Sequence, residues 1–142
     1  MSPPGRNDLL SSLEADLCDD DTVEFVVVFG SRVDGMDRAN ADLDVAVKFN
    51  DDCSPAERFS TLCRLSGRVQ RDAFPFIDLS DIEELPLQIA RAAIDGMFLC
   101  GDHDSFERTS RAIRSEFETK RSTIERDQRQ LIERIAKDGL HG

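Results

Sequence analysis

The stretch FVVVFGSRVDGMDRANADLDVAVKF, residues 25–49, decides how this chain is read. Residues 25–29 are apolar and rich in β-branched valine, the composition of a buried strand. The run stops at Gly30 and Ser31, gives way to a polar, turn-rich segment, and resumes at residues 43–49, LDVAVKF, as a second strand. Asp42 and Asp44 stand one residue apart at the mouth of that strand. Side chains alternate across a strand, so the two carboxylates point to one side. Anions that close repel, and one takes up a proton unless a cation lies between them. No histidine or cysteine stands nearby, and oxygen ligands alone suit Mg²⁺ or Mn²⁺. Magnesium rarely accepts an all-protein cage and keeps substrate phosphates in its shell. Gly30 and Ser31 supply the phosphate side: glycine permits close backbone approach, free amides after the strand can point at an anion, and the Ser31 hydroxyl adds a donor.

A third acid completes the pattern. In FPFIDLS, residues 74–80, Asp78 sits between Ile77 and Leu79 in a short apolar strand. A carboxylate placed there is costly unless it has a partner or a task. Asp42, Asp44 and Asp78 together suit a two-metal site for in-line displacement, with Asp78 positioning or deprotonating the attacking hydroxyl. The neighbouring acids Asp51, Asp52 and Asp81 stand in turn-like surroundings and read as solvated. A glycine-serine pair or a DxD alone carries little information; the ordered combination with three strands is specific.

The rest of the chain frames this centre. Residues 1–6 are rich in proline and glycine and are read as disordered. Leu9, Leu10, Leu13 and Leu17 recur at helical spacing after Asn7 or Asp8 as cap. A second helix starts with Ser54 as cap and Pro55 at its first position, with Phe59, Leu62, Leu65 and Val69 along one face. Pro75 suggests an edge position or a strand start for residues 74–80. LPLQIARAAIDG, residues 85–96, is a helix ended by Gly96, and MFLC, residues 97–100, an extended segment. One long helical pattern covers residues 104–138, with Asp104 and Glu107 as a variant capping box and Gly139 as a stop. Its apolar stripe is Phe106, Ile113, Phe117, Ile124, Leu131 and Ile135. Unbroken, it would span roughly 50 Å, wider than so small a domain, so it breaks near residues 118–122 or its far half needs a partner. The division expected is a core over residues 1–102 and a helical segment over 103–142, either packed on that core or binding a partner.

Composition narrows the classes. The 142 residues suit one domain. No run of about 18 apolar residues occurs, and the N-terminus has no signal pattern, so a cytoplasmic protein without a membrane span is expected. Cys18, Cys53, Cys63 and Cys100 show no paired spacing and read as reduced, mostly buried thiols rather than a zinc site. The net charge of −11 repels phosphate backbones and disfavours general nucleic-acid binding. Only three of the basic residues are lysines, and such an acidic, arginine-retaining surface resembles proteins of salt-loving archaea.

Taken together, Gly30, Ser31, ten intervening residues, Asp42, Asp44 and a later Asp78 resemble a minimal nucleotidyltransferase of the DNA polymerase beta superfamily. Gly35 matches a glycine common in the same loop, and the likeness covers about residues 8–102. It implies an α/β fold: a small mixed sheet with helices packed on one face, followed here by a long C-terminal helical segment. It implies ATP as substrate and Mg²⁺ as cofactor, with Arg32 or Arg38 to compensate in triphosphate binding for the acid at Asp34. Asp34 stands where a basic residue is common, and Ala41 where a serine is common. Small stand-alone members are antitoxins paired with a helical HEPN ribonuclease toxin. The resemblance therefore implies transfer of AMP to a toxin hydroxyl, a tyrosine in particular, or occlusion of the toxin by binding alone. The third reading is transfer to a small molecule such as an aminoglycoside. The chain has no tyrosine, so a tyrosyl acceptor lies on another chain. Homo-oligomers and hetero-oligomers with the toxin both fit.

Overall fold

The longest apolar runs of the chain become the inner strands of one mixed sheet. A computed structural model describes residues 6–30, 43–70 and 76–138. Its strands are β1 (Val23–Phe29), β2 (Leu43–Phe49), β3 (Ile77–Asp81) and β4 (Met97–Gly101), in the spatial order β3-β2-β1-β4. β1 pairs antiparallel with β2 and β4, whereas β2 and β3 run parallel. β3 thus lies at the edge, where a proline-containing segment is tolerated. The helices are α1 (Arg6–Leu17), α2 (Pro55–Val69), α3 (Leu87–Ile94) and α4 (His103–Asp138).

Alternation along the strands builds two cores. Val26, Val28, Val45, Val47, Ile77 and Leu79 face α1 and α2, meeting Leu9, Leu13, Leu17, Leu65 and Val69. Phe25, Val27 and Ala46 face the other way, toward Ala93 and Ile94 of α3 and Phe106 and Ile113 of α4. The expected mixed sheet with a long C-terminal helix is present, and the helices divide between both faces. The physical reason is in β1 and β2: their middles are buried on both sides, so each face needs a cover.

Several local expectations are corrected. Helix α1 already includes Arg6, so residue 6 is ordered and Asn7 and Asp8 lie inside the first turn rather than at its cap. Ser54 does cap α2, accepting from the Glu57 amide at 3.1 Å. Phe59 is 69% exposed, because its place near the start of α2 overshoots the sheet that Leu65 and Val69 reach. At α4 the cap is Asp102, which accepts from the amides of Asp104 and Ser105 at 3.0 and 3.5 Å. Asp81 is buried, not solvated, since Arg58 Nε donates to it at 2.8 Å and the Glu83 amide at 3.0 Å. The four cysteines are not all reduced: Cys18, just past α1, and Cys100 of β4 form a disulfide with Cα atoms 6.3 Å apart. Of the other two, Cys53 is half-buried and Cys63 exposed. No helix among the described residues is long and apolar enough to cross a membrane.

Candidate active site

Chemistry-bearing residues gather where β1 ends and β2 and β3 begin. Phe29, the last residue of β1, is the register partner of Asp44, and Asp44 is the register partner of Asp78 on the next strand. Adjacent strands lie about 4.8 Å apart, which brings the two aspartates side by side. Their neighbours Leu43, Val45, Ile77 and Leu79 are buried on the α1–α2 face, so both carboxylates point to the opposite face. Asp44 is half-buried there and Asp78 exposed. The desolvation cost expected for Asp78 is therefore not incurred: its strand is buried on one side only, and it occupies the open side.

Gly30 follows β1 with φ +94°, a conformation that favours glycine. A Cβ at this position would lie 2.5 Å from Asp44 Oδ2 and 3.4 Å from its Cγ. The bare backbone of the turn thus packs directly against the acid at the strand mouth. Among the residues expected to form the site, the structure brings Gly30, Asp44 and Asp78 together. Asp42, Ser31, Arg32, Gly35 and Arg38 lie outside the described residues, as do Pro75 and Gly139. Among the described residues no group of three potential ligands is assembled. The donor set present nevertheless fits a hard divalent cation: two neighbouring carboxylates on an open face, with a glycine cradle beside one of them.

The site is held by features that local sequence spacing did not indicate. Gln70, just past α2, clasps Ile77 from its side chain: Nε2 donates to the Ile77 carbonyl at 2.6 Å, and Oε1 accepts from its amide at 3.4 Å. The Leu43 amide donates to the Phe76 carbonyl at 2.9 Å. These bonds fix the backbone leading into Asp78. Their signal could be found only by knowing that the end of α2 lies beside β3. Further along β2, roughly 13 Å from Asp44, Lys48 is buried on the same face. Its Nζ reaches Asp51 at 3.0 Å, Glu83 at 3.4 Å and Glu24 at 3.7 Å. Burial disfavours its charge, but the Asp51 hydrogen bond and the Glu83 and Glu24 charges outweigh burial and hold its pKa above the ordinary lysine value. This cluster ties β2 to the sheet's far end and is structural.

The long helix has a definite direction relative to the site. Its first turn lies against the start of β1, where Ser105 Oγ donates to Glu24 at 2.5 Å and the Phe106 ring sits 5.4 Å from that of Phe25. Next to Ile113, Arg114 pairs with Asp95 at 2.6 Å, and one turn beyond Ile113 the Phe117 ring stands 5.6 Å from the Arg91 guanidinium. Asp95 lies two residues before Met97, the start of β4, which pairs with Val28 near the site end of β1. α4 therefore runs in the sense of β1, and residues 119–138 leave the core at the end carrying Gly30, Asp44 and Asp78. This arm is one unbroken helix with no packing cover among the described residues: Ile124, Leu131, Ile132 and Ile135 are 55, 53, 67 and 59% exposed.

Comparison with known proteins bears on this arrangement. The family model described as polymerase beta, nucleotidyltransferase, matches residues 13–104. A chain of a toxin–antitoxin complex solved with AMP-PNP is similar over 90% of this chain and 99% of its own, with TM-score 0.64 and 16% identity. A chain of the MntA–HepT toxin–antitoxin complex aligns with TM-score 0.63 at 15% identity, over 89% of this chain and 99% of its own. The complex of tri-AMPylated Shewanella oneidensis HEPN toxin with MNT antitoxin holds a further similar chain, with TM-score 0.61, 15% identity, and 87% and 96% covered. No curated protein matches the chain in sequence. At these identities the structural likeness speaks for the fold.

Proposed function

The chain belongs to the polymerase beta nucleotidyltransferase family, and from that premise we propose that it is an antitoxin that transfers AMP from ATP to a hydroxyl of a HEPN-type toxin. The observation that carries the reading is the contact of the Gly30 turn with Asp44, beside Asp78 in register. In this reading the turn, with Ser31, Arg32, Gly35 and Arg38, takes the triphosphate. Asp42, Asp44 and Asp78 hold Mg²⁺ or Mn²⁺. When bound, that cation neutralises phosphate charge and favours the ionised form of a nearby hydroxyl. The acceptor oxygen forms a bond to the α-phosphorus, the bond from that phosphorus to pyrophosphate breaks, and pyrophosphate leaves. The hydroxyl proton passes to Asp78, whose exposure leaves it open to an acceptor arriving from the sheet edge. The adduct adds negative charge to the toxin, and beside a ribonuclease site it repels RNA phosphates.

The arm favours a protein acceptor over a small molecule. It extends from the site end of the core, and among the described residues nothing covers its apolar line. It also differs in charge: residues 119–138 carry six basic and four acidic residues, while the rest carries twelve basic and twenty-five acidic. The arm is thus the part of the chain that does not repel an acidic partner. In this reading the toxin docks on Ile124, Leu131, Ile132 and Ile135 and presents its hydroxyl to the site. The test is incubation of the full chain with its neighbouring-gene partner and α-labelled ATP, with and without chelator. Label is expected on the partner only when divalent cation is present. Labelling that survives full chelation would defeat the metal assignment, and no labelling at all would defeat the transfer.

A further inference from the structure

Phe76 immediately precedes β3 and is 60% exposed. Exposure alone says little, since Phe59 is exposed too, but Phe59 lies on α2, on the sheet face away from both carboxylates. The position of Phe76 is what distinguishes it. Its carbonyl accepts from the Leu43 amide at 2.9 Å, and the next residue is clasped by Gln70, so the backbone leading from the ring into β3 is fixed. By strand alternation Phe76 and Asp78 fall on one side, with buried Ile77 between them on the other. Two strand residues are roughly 6.6 Å apart. An apolar ring is therefore held open to solvent beside the acid that faces the acceptor.

We infer that Phe76 is the acceptor-binding ring of this site and selects an aromatic hydroxyl, a tyrosyl side chain, over an aliphatic one. This rests on the nucleotidyl-transfer reading above and deepens it. A phenol stacked offset on the Phe76 ring carries its oxygen across the spacing to Asp78, whereas a seryl or sugar hydroxyl has no aromatic face to stack. The donor side lies elsewhere: Gly30 follows β1, which is two strands from β3 and about 10 Å away. β3 is the sheet edge, so the strand that follows the ring has a neighbouring strand on one side only.

The experiment uses the full chain with Mg²⁺, labelled ATP and two short blocked peptides identical except for a central tyrosine or serine. Wild type is expected to prefer the tyrosyl peptide. Phe76→Ala is expected to raise the tyrosyl KM about three- to tenfold, with the ATP KM unchanged and the seryl reaction unaffected. Phe76→Trp, which keeps a stacking ring, is expected to restore the tyrosyl KM. The chain has no tryptophan, so the Phe76→Trp protein also carries a single emitter at the site. Its emission is expected to change on adding N-acetyl-3-nitrotyrosinamide and not on adding Mg²⁺-ATP, and this decides the matter even where peptide turnover is slow. Unchanged tyrosyl KM in Phe76→Ala, a raised ATP KM in its place, or emission that answers the nucleotide and not the phenol would each overturn the assignment while leaving nucleotidyl transfer standing. Failure of wild type to bind ATP by calorimetry would overturn both.

Discussion

Replacing Gly30 by alanine tests whether the turn and the Asp44 carboxylate act as one unit. At φ +94° an L-residue is strained, at a cost of about 1–2 kcal/mol. The new Cβ would lie 2.5 Å from Asp44 Oδ2, where ordinary contact begins near 3.4 Å, so the carboxylate must withdraw by about 1 Å. The far end of an aspartate can rotate away, so folding absorbs the clash cheaply; the position of the acid cannot absorb it. A displacement of ~1 Å at a reacting centre costs about 10²-fold in rate, equivalent to ~2.7 kcal/mol of barrier. Stability is therefore expected to fall by about 1–2 kcal/mol while transfer per folded molecule falls about 10²-fold. Two glycine variants calibrate the result. Gly67→Ala, with nothing within 4 Å of the added atom, is expected to stabilise helix α2 by roughly 0.5–1 kcal/mol at full activity. Gly101→Ala has φ +114° and meets the Glu24 carbonyl oxygen and Phe25 Cα, so it is expected to destabilise strongly without touching the carboxylates. Thermal unfolding followed by circular dichroism, paired with label transfer at a temperature where each variant is folded, separates the two effects. A folded Gly30→Ala protein working at the wild-type rate would refute the coupling of turn and acid.

Other consequences can be checked directly. Asp44→Asn and Asp78→Asn are each expected to reduce AMP transfer at least about 10²-fold with the fold retained; normal turnover in either variant removes that acid from the mechanism. Truncation after Ser122 should leave unfolding of the core unchanged and weaken partner binding about 100-fold or more, since each buried Ile or Leu contributes roughly 1.5–3 kcal/mol before ordering costs; unchanged affinity by calorimetric titration would return the arm to a surface without a role. Burial works to raise the pKa of Asp20, but hydrogen bonds from the Thr22 side chain, Arg64 and the Thr22 amide outweigh it and lower it to about 2 from 3.8. Because the folded pKa is depressed, the stabilisation from Asp20 is full above about pH 4 and is lost as pH falls toward 2. With its Arg64 partner half exposed, about 1 kcal/mol is at stake. The stability gap between wild type and Asp20→Asn should narrow over that window; a gap independent of pH contradicts the ion-pair account.

Much of the architecture could be read from the chain because it is written in short-range pattern. LDVAVKF coincides with β2, and the valine run of residues 25–29 lies within β1, since continuous apolar, β-branched runs have few other stable uses. Ser54 and Pro55 locate the start of α2, because a cap and a fixed φ act on adjacent residues. The spacing of Gly30, Ser31, Asp42, Asp44 and Asp78 suggested a candidate site before any pairing was known, though Ser31 and Asp42 lie outside the described residues. Relations between distant segments needed the folded chain. Only the parallel register of β2 and β3 makes Asp44 and Asp78 neighbours, and only the one-sided burial of β3 leaves Asp78 exposed. Cys18 and Cys100 meet across 82 residues, and Asp81 finds Arg58 across 23, distances at which spacing carries no signal. Helical periodicity drew one stripe from Phe106 to Ile135. The core is long enough to cover it only as far as Phe117, and the direction of α4 along β1 turns the remainder into an arm at the end of the sheet where the carboxylates lie. Local chemistry specifies the elements and the acids; which of them share a face, an edge or an end is decided by packing two apolar faces of one sheet at once.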